Sequence, residues 1–235
     1  MPDRPTPGAG QAETAGPAGG SGFGAQPLDQ TRAAAAAIRR LTGLLLSLEQ
    51  PHAAVAEMLA RCGEWERELT AAAPPDNSPR IGADAVGTQR IYLDHAFDIG
   101  SFNPCFPEYR FDHVDARHAR GRVTFALPYE GPPGLVHGGF LAVFFDCVVQ
   151  QQNCAAGLAG KTRSLTVTYR RPTPLLTELG FDIERSVGDR DIDSTARLLL
   201  GDTVLCTGTV SAVASPPSAL AGTQYGQRRT TGIAD

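Results

Sequence analysis

The chain has 235 residues, of which 42% are hydrophobic and 20% are charged, and its net charge is −4. These values are ordinary for a globular protein with one sizeable domain plus extensions, and the negative charge gives no general attraction to nucleic acid or to an anionic membrane. No stretch reaches the roughly 18 to 20 uninterrupted apolar residues of a membrane-spanning helix. We therefore expect neither a nucleic-acid partner nor a membrane partner.

The cysteines argue against a disulfide framework and against a zinc site. They are odd in number, scattered along the chain and without a Cys-x-x-Cys pair. The first thirty residues also lack the basic and then apolar layout of a secretory signal. We expect reduced thiols in a cytoplasmic protein, with no metal and no organic cofactor.

Both ends of the chain are rich in small, polar and helix-breaking residues. Residues 1–27 are dominated by Gly, Pro and Ala, and residues 215–235 open on a Pro-Pro pair. Such segments bury too little apolar surface to offset the entropy lost on ordering, so disordered tails are expected at both ends.

Residues 28–72 predict a helical hairpin. Ile38, Leu41, Leu45 and Leu48 recur at helical spacing within Thr31–Leu48, and a second helix is expected from Pro51 to about Leu69. The apolar faces of these helices should pack on the main domain or on a dimer mate. A Pro-rich linker at residues 73–89 follows.

Residues 90–214 predict one α+β domain. Arg90–Ile99, Tyr109–Val114 and Gly121–Leu127 have the alternation of strands, and the long apolar run from Phe140 to Val149 and beyond favours one buried helix. Four further strands follow at Arg163–Arg170, Leu179–Ser186, Asp193–Leu200 and Thr203–Val213, with a hairpin turn at Gly201-Asp202. The economical arrangement is a curved antiparallel sheet wrapped around a single long helix.

The start of the predicted buried helix carries the chemistry. In the segment His137-Gly138-Gly139-Phe140, glycines leave backbone N–H groups unshielded at a helix N-terminus, where they can stabilise a developing oxyanion. Asp146 lies among apolar residues of the same helix, and a carboxylate there is costly unless it is hydrogen-bonded, paired or part of a site. An exposed helix face that also carries Gln150 and Asn153 would equally explain this aspartate.

His137 and Asp146 are nine residues apart, which places them on opposite faces of the helix and about 13 Å apart along its axis. One helix cannot easily aim both at the same bound atom. Two antiparallel helices across a two-fold axis can, because the amino end of one then faces the carboxylate of the other. This geometry predicts a homodimer, or a dimer of dimers, with two equivalent shared sites.

The segment from His137 to Asp146 resembles the HGG-x6-D signature of the PaaI-like branch of hotdog-fold acyl-CoA thioesterases. The following Leu165–Leu175 segment, Gly100-Ser-Phe-Asn103-Pro104 and Glu130-Gly-Pro-Pro-Gly134 are also similar to that branch. The resemblance covers roughly residues 90–214. It implies a hotdog fold and the hydrolysis of acyl-CoA to free acid and CoA.

The resemblance also implies roles for individual residues. Asp146 would be the general base or the nucleophile, Gly138 the N–H donor, and His137 a residue that orients the loop, while Thr162 would hold the nucleophilic water. Some relatives have Asn or Gln six residues before the histidine, where this chain has Gly131. Gly139 and Asn103 are expected to bind substrate, and so are Arg163, Arg170 and Arg171, on the ground of their charge.

The arginines give a local positive charge suited to the phosphates of CoA, although a solvated strand edge explains any one of them equally well.

Two other functions remain open from the sequence. One is a non-catalytic hotdog module with an acyl-CoA-binding or regulatory role, and the other is a thioesterase that acts on acyl carrier protein. The presence of both Asp146 and Thr162 favours an enzyme, and the acyl chain is not specified.

Overall fold

The structure is a computed structural model, and it describes Pro27 and residues 29–72 and 98–215. The predicted tails before Pro27 and after residue 215, the linker and most of the strand predicted at Arg90–Ile99 lie outside these residues. Within them, the elements are α1 (Asp29–Leu46), α2 (Ala53–Ala72), β1 (Tyr109–Val114), β2 (His118–Thr124), α3 (Gly138–Ala155), β3 (Ala159–Tyr169), β4 (Glu178–Val187), β5 (Asp191–Leu200) and β6 (Thr203–Ser215).

The six strands form one sheet in the order β1-β2-β4-β5-β6-β3, and every pairing in it is antiparallel. Three consecutive strands, β4, β5 and β6, pair as hairpins. The β5–β6 turn is Gly201-Asp202, where Gly201 has a φ of +56°, a backbone conformation that glycine adopts without strain. The predicted α+β arrangement and hairpin turn are confirmed.

The core lies between α3 and one face of the sheet. Phe144, Phe145 and Val148 of α3 are fully buried, and the ring of Phe144 makes edge-to-face contacts with Tyr109 and Phe181. Burying a side chain of this size contributes roughly 1.5–3 kcal/mol. Strands β4 and β5 alternate buried and exposed residues, so their apolar side chains face α3. The long apolar run of the sequence is therefore the helix that the sheet surrounds.

Two predicted strand ends are wrong. Ile99, predicted to end a strand, begins a 3-10 turn (Ile99–Ser101), because the Asp98 side chain accepts a hydrogen bond from the Gly100 N–H and so caps that turn. The strand predicted at Gly121–Leu127 begins earlier and ends at Thr124, and Leu127 opens a second 3-10 turn that contains Pro128. Proline has no N–H to donate to a sheet, so the strand cannot continue there.

The amino-terminal helices form as predicted, but α1 packs by a different face. Ala35 and Arg39 are its buried residues, whereas the predicted apolar stripe remains 38–50% exposed at Ile38, Leu41, Leu45 and Leu48. Helix α2 contains no buried residue in the single chain that the structure describes. Among the helices of the described ranges, none is long and apolar enough to cross a membrane.

Candidate active site

The first element of the site is the N-terminus of α3, which His137 caps. The ring Nδ1 of His137 accepts a hydrogen bond from the Gly139 N–H at 3.0 Å, and the backbone N–H of His137 donates to the Tyr129 carbonyl at 2.9 Å. Because Nδ1 is an acceptor, the neutral ring carries its proton on Nε2. The Gly139 N–H is thus occupied by the histidine.

The Gly138 N–H is the other backbone donor considered at this helix end. No acceptor for it lies within hydrogen-bonding distance in the part of the chain that the structure describes. A free N–H at the positive end of an 18-residue helix attracts an anionic oxygen. Of the two glycines proposed from the sequence, Gly138 therefore offers the free donor and Gly139 does not.

Tyr169, at the end of β3, borders this helix end and was not identified from the sequence. Its hydroxyl donates to the Gly138 carbonyl at 2.9 Å, and a Cβ atom on residue 138 would lie 2.9 Å from that oxygen. A groove at this point is lined by Gly138, Leu141, Tyr169, Arg170 and Arg171. The structure thus brings Gly138 together with two of the three arginines predicted to bind phosphate.

The second element of the site is the carboxylate of Asp146, which is half-buried on α3. The Thr162 hydroxyl donates to Asp146 Oδ1 at 2.6 Å, and the same hydroxyl oxygen accepts a hydrogen bond from Gln150 Nε2 at 2.6 Å. Asp146 and Thr162, 16 residues apart in the sequence, are therefore in direct contact.

A β-bulge places Thr162 on the helix side of the sheet. Thr162 pairs with Ala212 and Ser164 with Ser211, so Arg163 between them has no partner residue on β6. Leu165 and Val167 pack against the core. In an unbroken strand Thr162 would face away from these two residues, and the extra residue in the bulge reverses that alternation.

Two buried polar residues extend this contact into the interior. Asn153 Nδ2 donates to Gln150 Oε1 at 3.4 Å, and Arg185 Nε donates to Asn153 Oδ1 at 2.6 Å. The pKa of Arg185 is lowered because burial disfavours its charge. The sequence did carry a signal for this arginine, because it continues the inward alternation of Leu179, Phe181 and Ile183 along β4.

The remaining predicted site residues lie elsewhere. Arg163 donates to Asp191 Oδ1 and to Ser211 Oγ, both at 2.9 Å, on the strand surface. Asn103 accepts a hydrogen bond from the Cys105 N–H at 3.1 Å and so closes a local turn. No contact of the described residues joins either side chain to Asp146 or to Gly138.

Gly131 occupies the position where some relatives have Asn or Gln, and the structure explains this departure. A Cβ atom on residue 131 would lie 2.8 Å from the His137 Cα atom, closer than real Cβ contacts allow. The polar side chain found in those relatives could be added here only if the backbone that presents His137 moved.

The nearby cysteine is not a nucleophile in this arrangement. Cys147 is buried, and burial, with the adjacent Asp146 carboxylate, raises the pKa of its thiol to about 12. The thiol is therefore neutral and behaves as a small apolar side chain. Within residues 27, 29–72 and 98–215, no group of three or more His, Cys, Asp or Glu side chains could hold a metal ion.

Comparison with solved structures identifies the architecture. A crystal structure of a thioesterase superfamily protein matches with a TM-score of 0.64 and 25% identity, over 82% of this chain and 100% of that chain. The chain has the hotdog fold of the thioesterase superfamily. The fold that the sequence resemblance implied is confirmed, although no family model matches the chain.

Two shorter hotdog structures align with about half of this chain. A hypothetical thioesterase protein from Streptococcus pneumoniae TIGR4, solved with coenzyme A, matches at 18% identity over 48% of this chain and 89% of that one, with a TM-score of 0.45. A phenylacetic acid degradation-related protein from Ralstonia eutropha JMP134 matches at 20% identity over 45% and 83%, with a TM-score of 0.42.

Proposed function

We propose that this hotdog protein hydrolyses acyl-CoA thioesters in a site shared between two copies of the chain. The observation that carries the proposal is the half-buried Asp146 carboxylate held at 2.6 Å by Thr162, on the same helix whose first N–H, at Gly138, has no acceptor among the described residues. These are the two groups that thioester hydrolysis requires: one accepts a proton from water, and the other stabilises the oxyanion.

The proposed reaction uses Asp146 as general base. Thr162 donates to Oδ1 and so leaves Oδ2 to accept the proton of a bound water, whose oxygen attacks the thioester carbonyl carbon. The carbonyl oxygen becomes an oxyanion that accepts a hydrogen bond from the Gly138 N–H of the second copy of the chain. When the C–S bond breaks, the electron pair leaves with the CoA sulfur, which takes up the proton that Asp146 had accepted, and the free acid remains. Direct attack by the carboxylate is the alternative use of the same group.

The proposal of a shared site is supported by the separation of Gly138 and Asp146 along α3. Gly138 and Asp146 are eight residues apart, which is about 12 Å along the helix axis and too far for both to contact one carbonyl group. A second α3 running antiparallel would bring a partner's free N–H to this carboxylate. The groove beside Gly138, with Arg170 and Arg171 at its border, supports an anionic substrate such as the nucleotide end of CoA.

The test is to measure the hydrolysis of a panel of acyl-CoA substrates by the full chain, with detection of the free thiol that is released. Asp146→Asn keeps the shape of the side chain but removes the base, so kcat should fall by about 10²–10⁴-fold while acyl-CoA binding persists. Asp193→Asn, on the exposed face of β5, is the matched control and should leave kcat within about twofold. Binding without turnover in the unaltered protein would instead indicate a non-catalytic acyl-CoA module.

A further inference from the structure

The buried hydrogen-bond chain behind Asp146 has only one possible direction. An arginine Nε–H can only donate, so the Asn153 atom that faces it must be the amide oxygen. The Asn153 nitrogen then faces Gln150 and donates to its oxygen, which turns the Gln150 nitrogen toward Thr162. The polarity of both amides thus follows from the guanidinium, independently of how the amide atoms are assigned.

This direction reaches the hydroxyl of Thr162. Since Gln150 Nε2 can only donate, the Thr162 oxygen must accept from it, and the single hydroxyl proton is left for Asp146 Oδ1. A hydroxyl without this constraint can rotate and give its proton to water or to another acceptor.

The inner end of the hydrogen-bond chain is buried and its outer end is accessible to solvent. Asn153 is fully buried, and Gln150 and Arg185 are 5% and 7% exposed, whereas Asp146 is half-buried and Thr162 is exposed. Arg185 is further held by the Ala116 carbonyl at 2.8 Å and lies at the C-terminal end of α3, where the helix dipole favours a cation. A charge retained in this position requires a reason, because burying it costs free energy.

We propose that Gln150, Asn153 and Arg185 form a relay of fixed polarity that commits the Thr162 proton to Asp146, and that Gln150 is a positioning residue for hydrolysis. This inference rests on the proposed function and extends it. Asp146 is thereby kept as an acceptor, with one oxygen occupied and the other directed at water.

The decisive variant is Gln150→Glu, which keeps the shape of the side chain but replaces the donor by a carboxylate that can only accept. The Thr162 proton is then shared between two carboxylates, so kcat should fall at least about tenfold with KM within about twofold. Gln150→Met removes the donor without reversing the polarity and should cost only about two- to threefold in kcat.

Gln151→Glu is the matched control for the added charge. The Gln151 Oε1 atom accepts a hydrogen bond from the Tyr109 hydroxyl at 2.7 Å, and a carboxylate can accept the same bond. This variant should retain kcat within about twofold. Equal losses in Gln150→Glu and Gln150→Met, or an equal loss in Gln151→Glu, would overturn the relay.

The pH dependence of kcat distinguishes a reversed hydrogen-bond direction from a general structural defect in Gln150→Glu. The charged groups of the network are Asp146, on the same helix, and Arg185, on β4. At low pH the introduced carboxyl is protonated and can donate to Thr162, so the kcat of Gln150→Glu relative to the unaltered protein should rise as pH falls. Gln150→Met should show no such recovery, and a parallel profile for the two variants would contradict the relay.

A measurement without turnover distinguishes the failure of this inference from the failure of the proposed function. The side-chain N–H resonances of Gln150 should exchange slowly with solvent in the unaltered protein and quickly in Thr162→Val, because the acceptor is lost. Slow exchange with no hydrolysis of any acyl-CoA would refute the function alone. Hydrolysis with rapid exchange of the Gln150 amide would refute the relay alone.

Discussion

Asp98 shows how a single buried carboxylate can make the stability of this protein depend on pH. Burial is the main cause that raises its pKa from 3.8 to about 7, although the Tyr109 and Gly100 N–H groups donate to it. Between these two values the unfolded chain gives up the proton while the folded chain still holds it. The stability that protonated Asp98 contributes to the folded state is therefore complete below about pH 4, and it is lost as pH rises toward 7 and above.

We predict that Asp98→Asn reduces this pH dependence. Between pH 5 and pH 8 the free energy of unfolding of the unaltered protein should fall by up to about 2.5 kcal/mol more than that of the variant. Urea denaturation at both pH values measures the difference, and the histidines contribute equally to the two proteins. Parallel curves would mean that Asp98 ionises in the folded protein much as it does in the unfolded chain.

At the scale of elements, the side-chain hydrogen bonds that attach α1 to the domain come from one buried residue, Arg39, beside the buried Ala35. Arg39 donates to the Tyr129 hydroxyl at 3.2 Å, to the Glu108 carboxylate at 3.0 Å and to the carbonyls of Gly100, Asn103 and Phe106. The same Tyr129 accepts the His137 N–H through its carbonyl. Helix α1 is thus connected to the loop that presents the start of α3.

We predict that Arg39→Met releases α1, because the apolar stem is kept while every hydrogen bond is lost. Stability should fall by about 2–4 kcal/mol, and α1 should become accessible to limited proteolysis. Arg40→Met, at the adjacent exposed position, is the control and should change the melting temperature little. If the two variants melted alike, the attachment would have to come from the apolar contacts of α1.

At the scale of the whole molecule, the proposed function needs a second copy of the chain. The Gly138 N–H, for which the described residues offer no acceptor, and the Asp146 carboxylate lie just over two turns apart on one helix, so in the proposal each protomer would contribute half of two different sites. Two variants that each destroy a different half can therefore restore one complete site when they pair.

We predict that mixing Asp146→Asn with Gly138→Pro restores about a quarter of the unaltered activity after subunit exchange, since half of the dimers are mixed and each has one intact site. Residue 138 is the first of α3, a position where proline is tolerated; the substitution removes the N–H and adds a ring whose Cβ lies beside Tyr169. Gly138→Ala adds the same Cβ beside Tyr169 but keeps the N–H, and should remain active. Verified heterodimers without recovery would place each site within one protomer.

The sequence by itself determined the features that depend on near neighbours. Helical spacing predicted α1 and α2, and the length of one apolar run predicted α3. Strand-like segments predicted β1 to β6, with the ends of β2 misplaced. The His-Gly-Gly start with Asp146 nine residues later predicted which helix carries the chemistry. Only the tertiary structure decided the contacts between distant residues. The bulge at Arg163 turns Thr162 toward Asp146, Arg185 completes the buried chain, and Arg39 rather than the leucine stripe attaches α1. Such contacts depend on strand register and on the face that packing buries, and neither is encoded in local periodicity.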